Sequence, residues 1–437
     1  MSSLSSSSSS SSIFAKNVGI KDLLVGEAET VGVRYIPGRQ NAHPPLRIYY
    51  PASQKQQQPE QRTSLFAPEG YGFFLTGYLH VIGCKHGTWL HRYVLSPLLT
   101  MVGASLSFLS YYNVPLCLQL HAPAGVLTPD APPIGATTTT KKKKKYPLIV
   151  FSHGLSGTGH ENTLLHLAWA KLGFVVVSVH HTDGSSARVR LYSSSLDDAA
   201  DNDTTSTYED RYYEHGPSFQ NYDPNFRPNQ IQKRANDLKQ AVGYVTKSKN
   251  TILEDDLSSI IDTDTIILSG FSYGAATAAL AMYNNPGWFD NNENSKKGGL
   301  ILLDGWFYID VMKSAGVEFE FPSQVFEHYR QSKEKNGNTI PSVFINSQQF
   351  SKYPKLYKAT CDLEELISPQ SSGVEKSGDS NMHVLEGTTH QNFVDMIWWG
   401  VPLFLLQKLK VIGPMDARDA YQNILHICAE FLKKNFQ

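Results

Sequence analysis

The fifteen residues from Thr265 to Ala279 constrain the fold of this chain more than any others. Thr265-Ile-Ile-Leu-Ser269 is a β-branched, apolar run that reads as a buried strand. Gly270-Phe271-Ser272-Tyr273-Gly274 follows at once, and then Ala275-Ala-Thr-Ala-Ala279, a run of small residues suited to a closely packed helix. A chain that turns from strand to helix within five residues needs a sharp bend. Gly270 and Gly274 allow that bend and let the helix lie against the sheet. Ser272 is then held in a strained turn with its hydroxyl exposed. A Gly-x-Ser-x-Gly pentapeptide met by chance in a loop lacks this strand–turn–helix setting.

The flanking sequence repeats the alternation. Strands are expected at Arg47–Pro51, Leu148–Phe151, Phe174–Val179, Leu300–Leu303, Val343–Asn346 and Met382–Leu385. Helical periodicity appears over Asn162–Leu172 and Asn229–Thr246. Strands alternating with helices predict an α/β protein whose mostly parallel central sheet is covered by helices on both faces. With the elbow motif, this is the α/β-hydrolase fold. The expected organisation is a disordered serine-rich tail over 1–30, then one domain over 31–437. Low-complexity insertions are expected at about 132–145 (a threonine run followed by a lysine run) and 193–225 (polar and aspartate-rich).

Composition narrows the function classes. Hydrophobic residues make up 41% of the 437 and charged residues 18%, enough for a sizeable core. The net charge of −1 gives no global field to attract nucleic acid, so no nucleic-acid partner is expected. The four cysteines include no Cys-x-x-Cys pair, and His180-His181-Thr182-Asp183 has no His-Glu-x-x-His companion, so no metal and no cofactor are expected. No apolar run reaches the ~18 residues of a membrane span. The start, MSSLSSSSSSSSIFAK, has neither a basic region nor an apolar segment, so a secretory signal is not expected. A cytoplasmic protein, with access to membrane surfaces, is the expectation. The alternative is organelle targeting by the serine-rich, acid-free tail.

A serine hydroxyl becomes a nucleophile when a base takes its proton. In this fold the partners follow in the order Ser, Asp or Glu, His. Asp304 directly follows the strand Leu300–Leu303, at the strand end where such sheets present their sites. It is the preferred acid, with Asp310 the alternative. His390 follows Met382–Leu385 and a turn, and is the expected base; His383, inside that strand, is expected to be structural. The oxyanion of a tetrahedral intermediate needs backbone donors. Tyr273, just after the nucleophile, should supply one. Leu155, in the loop Ser152-His153-Gly154-Leu155 after a buried strand, should supply the other.

Several stretches resemble the platelet-activating factor acetylhydrolases, plasma and type II intracellular. They are Leu46-Arg-Ile-Tyr-Tyr-Pro51, Tyr146-Pro-Leu-Ile-Val-Phe-Ser-His-Gly-Leu155, Gly270 to Thr277, Phe344-Ile-Asn-Ser347, Tyr353-Pro354 and His390-Gln-Asn-Phe393. The resemblance spans roughly residues 30 to 436. It implies a triad of Ser272, Asp304 and His390 and oxyanion positions at Leu155 and Tyr273. It also implies calcium-independent hydrolysis of the sn-2 ester of phospholipids bearing short or oxidised acyl chains. The sequence departs from the family at Phe271, where histidine is usual, at Tyr273 (phenylalanine) and at Ala275 (glycine); none removes a catalytic group. An enzyme of this kind draws a phospholipid from a peripheral membrane or lipoprotein surface. The apolar stretch Phe73–Leu109 and Trp398, Trp399 and Phe404 are the expected interface. The rival readings are an esterase acting on other esters and a non-catalytic lipid-binding protein on the same fold. The sequence leaves the oligomeric state open.

Overall fold

The apolar runs that pointed to buried strands form one sheet, in a computed structural model that describes residues 30–52, 69–82, 93–94, 97–98, 101, 105, 127–129, 144–193, 207–216, 223, 225–246, 255–289, 297–312, 317–320, 331, 340–367, 381–395 and 403–437. Its strands are β1 (Thr30–Ile36), β2 (Leu46–Ala52), β3 (Leu127–Pro129), β4 (Tyr146–Ser152), β5 (Val175–Val179), β6 (Ile261–Phe271), β7 (Lys297–Leu303), β8 (Ser342–Ser347) and β9 (Met382–Leu385). They lie in the order β9-β8-β7-β6-β4-β5-β2-β1-β3. From β9 to β5 every neighbouring pair is parallel. β2 is antiparallel to both β5 and β1.

Continuous apolar runs are what a strand buried on both faces needs. Along β4, Ile149 and Phe151 join one core with Leu164–Ala170 of helix α1 (Thr163–Lys171) and the apolar side of helix α4 (Ala417–Phe436). Leu148 and Val150 face the other way. They pack with Ile231, Leu238 and Val242 of helix α2 (Phe226–Thr246) and the alanines of helix α3 (Tyr273–Asn284). The sheet is thus covered by helices on both sides, which is the α/β-hydrolase architecture. The chain leaves β4 for β5 on one side and returns to β6 on the other. The carboxyl ends of β4 and β6 therefore flank the switch point where ligands bind in open α/β sheets.

Within the polar, aspartate-rich insertion expected at 193–225, of which 193, 207–216, 223 and 225 are described, Tyr208–Tyr212 is a strand, antiparallel to Arg188–Tyr192. Its polarity is used internally. Asp210 accepts from Arg188 Nη2 at 2.7 Å and from Arg190 Nε at 2.7 Å, and the Arg190 guanidinium lies 3.9 Å from the Tyr208 ring centroid. Apart from Thr30, Lys144 and Lys145, the expected tail and the 132–145 insertion lie outside the described residues.

Candidate active site

β6 ends at Phe271, and Ser272 takes φ 57° and ψ −122° before α3 begins at Tyr273. A left-handed φ on a residue other than glycine is strained, and its neighbours must hold it there. Ser272 N–H donates to Leu303 O at 2.8 Å, and Ser272 O accepts from Trp306 and Ala275 N–H at 3.1 and 3.0 Å. The close approach explains both glycines. A Cβ on Gly270 would stand 2.2 Å from Gly274 O, and one on Gly274 would stand 2.0 Å from Ser152 O.

Asp304 directly follows the next strand, β7, and is also at positive φ (45°), with its N–H bonded to Ile345 O at 2.8 Å. Its carboxylate is wholly buried and fully engaged. Oδ1 accepts from Ser347 N–H at 2.7 Å, and Oδ2 accepts from Ser347 Oγ at 2.8 Å and from His390 Nδ1 at 2.7 Å. A carboxylate can only accept there, so Nδ1 carries a proton, which leaves Nε2 as the nitrogen that can take up another. Asp310 falls on the strand Tyr308–Met312, outside the main sheet, and its side chain lies outside the described residues.

His390 opens a 3-10 turn, His390–Phe393, capped by Thr389 and Asn392. Gln349 Oε1 accepts its N–H at 2.9 Å. The imidazole stacks on Phe350 (centroids 4.1 Å apart, 8°) and on Phe271 (4.5 Å, 28°), with Trp306 at 6.0 Å. The aromatic residue before the serine thus bears on the ring of the proposed base. Neither Ser347 nor Phe350 was singled out as a site residue from the sequence. Ser347 appears there only in the stretch Phe344-Ile-Asn-Ser347; its part, donating twice to Asp304, is a tertiary contact. His383 lies in β9, half-buried, with its pKa lowered by that burial.

The loop after β4 passes beside the serine: a Cβ on Gly154 would stand 3.4 Å from Ser272 Cβ. Leu155 follows it, and Tyr273 opens α3, whose N-terminus carries the positive end of the helix dipole. His180 and His181, at the end of β5, are buried, with pKa values lowered chiefly by desolvation, that of His180 to about 3. His181 is held by Asp237, Nδ1 to Oδ2 at 3.0 Å. Trp398 and Trp399 lie outside the described residues; Phe404 is 59% exposed on the helix Leu403–Lys408.

A family model described as Platelet-activating factor acetylhydrolase, isoform II, matches residues 124–437. The platelet-activating factor acetylhydrolase of Gallus gallus is 25% identical over 302 residues, 67% of this chain and 62% of the relative. That of Canis lupus familiaris is 25% identical over 362 residues, 80% of this chain and 62% of the relative. The matches thus span about three fifths of the length of these relatives. Among solved structures, a ferulic acid esterase from Streptomyces cinnamoneus aligns over 94% of the chain and 90% of its own length, with 14% identity and a TM-score of 0.48.

Proposed function

Since the chain belongs to the platelet-activating factor acetylhydrolase isoform II family, we propose that it is a serine carboxylic-ester hydrolase that cleaves the sn-2 ester of phospholipids carrying short or oxidised acyl chains, with no metal in the reaction. The observation that carries this is the buried Asp304–His390 hydrogen bond of 2.7 Å, set at a strand end next to the strained Ser272. Ser272 Oγ attacks the ester carbonyl, and its proton passes to His390 Nε2. Asp304 holds the ring in the required tautomer and stabilises the imidazolium that forms. The carbonyl oxygen becomes an oxyanion held by the N–H groups of Leu155 and Tyr273. Collapse breaks the bond to the glycerol oxygen, which takes the proton from His390 and leaves as the lysophospholipid. Water then attacks the acyl-enzyme, gives its proton to His390 and releases the fatty acid, and Ser272 regains its hydrogen.

Phe404, Leu405 and Leu409, all exposed, support docking at a membrane or lipoprotein surface. Their segment is tied to the His390 loop, since Thr389 Oγ1 donates to Val411 O at 2.8 Å and Gly413 N–H to Asn392 Oδ1 at 3.0 Å.

The test is fluorophosphonate labelling with the modified residue mapped, followed by hydrolysis of phospholipids graded in sn-2 chain length, with and without EDTA. Ser272 alone should be labelled, and Ser272→Ala should lose turnover by up to about 10⁶. Rates should fall as the acyl chain lengthens and should be indifferent to EDTA. A Ser272→Ala protein that still turns over sinks the serine assignment, and rates independent of chain length, or abolished by EDTA, sink the substrate or metal-free part of the reading.

A further inference from the structure

Arg234 of α2 is an arginine with no exposure at all. A buried charge persists only when its donors are engaged. Here all three guanidinium nitrogens donate, in four hydrogen bonds from the five N–H groups. Nε donates to Thr277 Oγ1 at 3.1 Å, Nη1 to Ser185 Oγ at 2.6 Å, and Nη2 to both Ser152 Oγ, at 3.1 Å, and His153 O. The charge is balanced at one remove: Ser185 Oγ donates on to Asp183 Oδ1 at 2.5 Å.

These contacts fall on the two segments that carry the oxyanion donors. Ser152 ends β4, and His153 opens the loop that runs through Gly154 to Leu155. Thr277 belongs to α3, where its hydroxyl donates to Tyr273 O at 2.8 Å, and the guanidinium lies 5.1 Å from the Tyr273 ring centroid. The loop and the elbow already press together, as Gly274 shows, so a hydrogen bond that orients the His153–Gly154 peptide sets the approach of Leu155 to Ser272. A second brace leads away from the same hydroxyl. Ser152 Oγ is 2.8 Å from His181 Nε2, and His181 Nδ1 is 3.0 Å from Asp237 Oδ2. This has the connectivity of a second Ser-His-Asp triad, but Ser152 is wholly buried and its oxygen is already taken by Arg234. It stiffens the loop and has no access to an ester.

Resting on the esterase reading above, we propose that Arg234 is the positioning residue of the oxyanion hole: its planar fork fixes the loop bearing Leu155 against the helix bearing Tyr273. A lysine keeps the charge but cannot span the four acceptors, which separates geometry from charge.

The decisive measurement uses a trifluoromethyl ketone alongside p-nitrophenyl acetate. Ser272 Oγ adds to the ketone carbon, the serine proton moves to His390, and the ketone oxygen becomes a hemiketal oxyanion in the hole. Deleting an oxyanion donor costs about 10²–10³ in kcat, so displacing one in Arg234→Lys should cost about 10–10². KM should stay within about twofold, because the loss is confined to the transition state. The ketone should weaken by the same factor as kcat, which a merely structural role would not produce. A folded Arg234→Lys with unchanged kcat and ketone affinity overturns the proposal. If that variant fails to fold, Ser185→Ala, which removes the acceptor of Nη1 together with its link to Asp183, decides with an expected matched fall of about 3–10-fold, a fraction of one donor's worth; unchanged values there overturn it equally. A wild-type protein whose Ser272 takes no fluorophosphonate overturns the esterase reading itself, whereas a reactive wild type with unaffected variants overturns only the role of Arg234.

Discussion

His166 shows how much of this protein's behaviour rests on single buried side chains. It sits in α1 with no exposure, packed edge-on against Phe151 (centroids 4.5 Å apart) and near Tyr49 and Trp169, and among the described residues neither ring nitrogen has a hydrogen-bond partner. Desolvation, with a smaller contribution from Arg47, lowers its pKa to about 3. The unfolded ring takes up its proton near 6.5, while the folded ring stays neutral until about 3. The unfolded state therefore binds more protons between those values. Stability is full above pH 6.5 and is lost as the pH falls toward 3. At pH 5 the loss from this one residue is about 2 kcal/mol, from 1.4 kcal/mol per unit over about 1.5 units. His166→Phe should therefore gain on the wild type by about 2 kcal/mol between pH 7.5 and pH 5, whatever its stability at neutral pH. Denaturant melts at the two pH values measure it, and a wild-type-to-variant gap that is the same at both refutes the assignment. His153, His180 and His181 are depressed in the same direction, so the variant remains acid-sensitive.

At the scale of elements, the question is how the loop carrying His390 is held so far along the chain from Asp304. The answer lies in the N-terminus of α1, which lacks a side-chain cap of its own. Asp395, just past the His390–Phe393 turn, supplies one: Oδ2 accepts Leu164 N–H at 3.1 Å, and Oδ1 accepts Tyr421 Oη–H of α4 at 2.7 Å. Asn162 Nδ2 donates to Phe393 O at 2.7 Å, and Asp395 N–H donates to Glu161 O at 2.7 Å. One carboxyl thus joins α1, α4 and the histidine loop. Its burial pushes its pKa up to about 7. Asp395→Ala should destabilise by about 1–3 kcal/mol, because it strands a helix N–H and a tyrosine hydroxyl in the interior. It should also lower kcat on a soluble ester more than it raises KM, since the base is misplaced rather than the substrate unbound. Thermal melts and steady-state kinetics test both parts, and a variant with the wild-type kcat shows that the clamp does not position His390.

Across the whole molecule, apolar surface divides in a way that composition does not reveal. Phe73 and Phe74, from the stretch expected to meet lipid, pack in the core, whereas Ile82, Leu98 and Met101 farther along it are exposed. On the helix Leu403–Lys408, Leu406 points into the core while Phe404 and Leu405 face outward. Among the described residues no helix is long and apolar enough to cross a membrane. A shallow interfacial contact needs only such a patch. Phe404→Ser combined with Leu405→Ser should weaken binding to phosphatidylcholine vesicles by about a hundredfold or more, since each of the two side chains, once buried, is worth about 1.5–3 kcal/mol and each 1.4 kcal/mol is a factor of ten. Hydrolysis of p-nitrophenyl acetate should stay near the wild-type rate. A fall in both, together with a lower Tm, makes these residues structural and removes the patch from the interface.

The local sequence determined what local geometry can determine. The strand, elbow and helix around Ser272 were legible because backbone sterics and side-chain periodicity act over a few residues. The β-branched runs showed strands buried on both faces for the same reason. The order Ser272, Asp304, His390 could be read as a candidate set, with Asp310 as an alternative acid, but the hydrogen bond that joins Asp304 to His390 could not. That bond exists because β7, β8 and β9 are laid side by side, and strand order is a property of the closed sheet. The strand at Tyr208–Tyr212 was hidden because its charges are paired across to Arg188 and Arg190. The roles of Ser347, Asp395 and Arg234 were silent for a similar reason. A serine, an aspartate or an arginine in a polar sequence has no marked partner until the fold removes water from around it. Only then does each donor and acceptor have to find another.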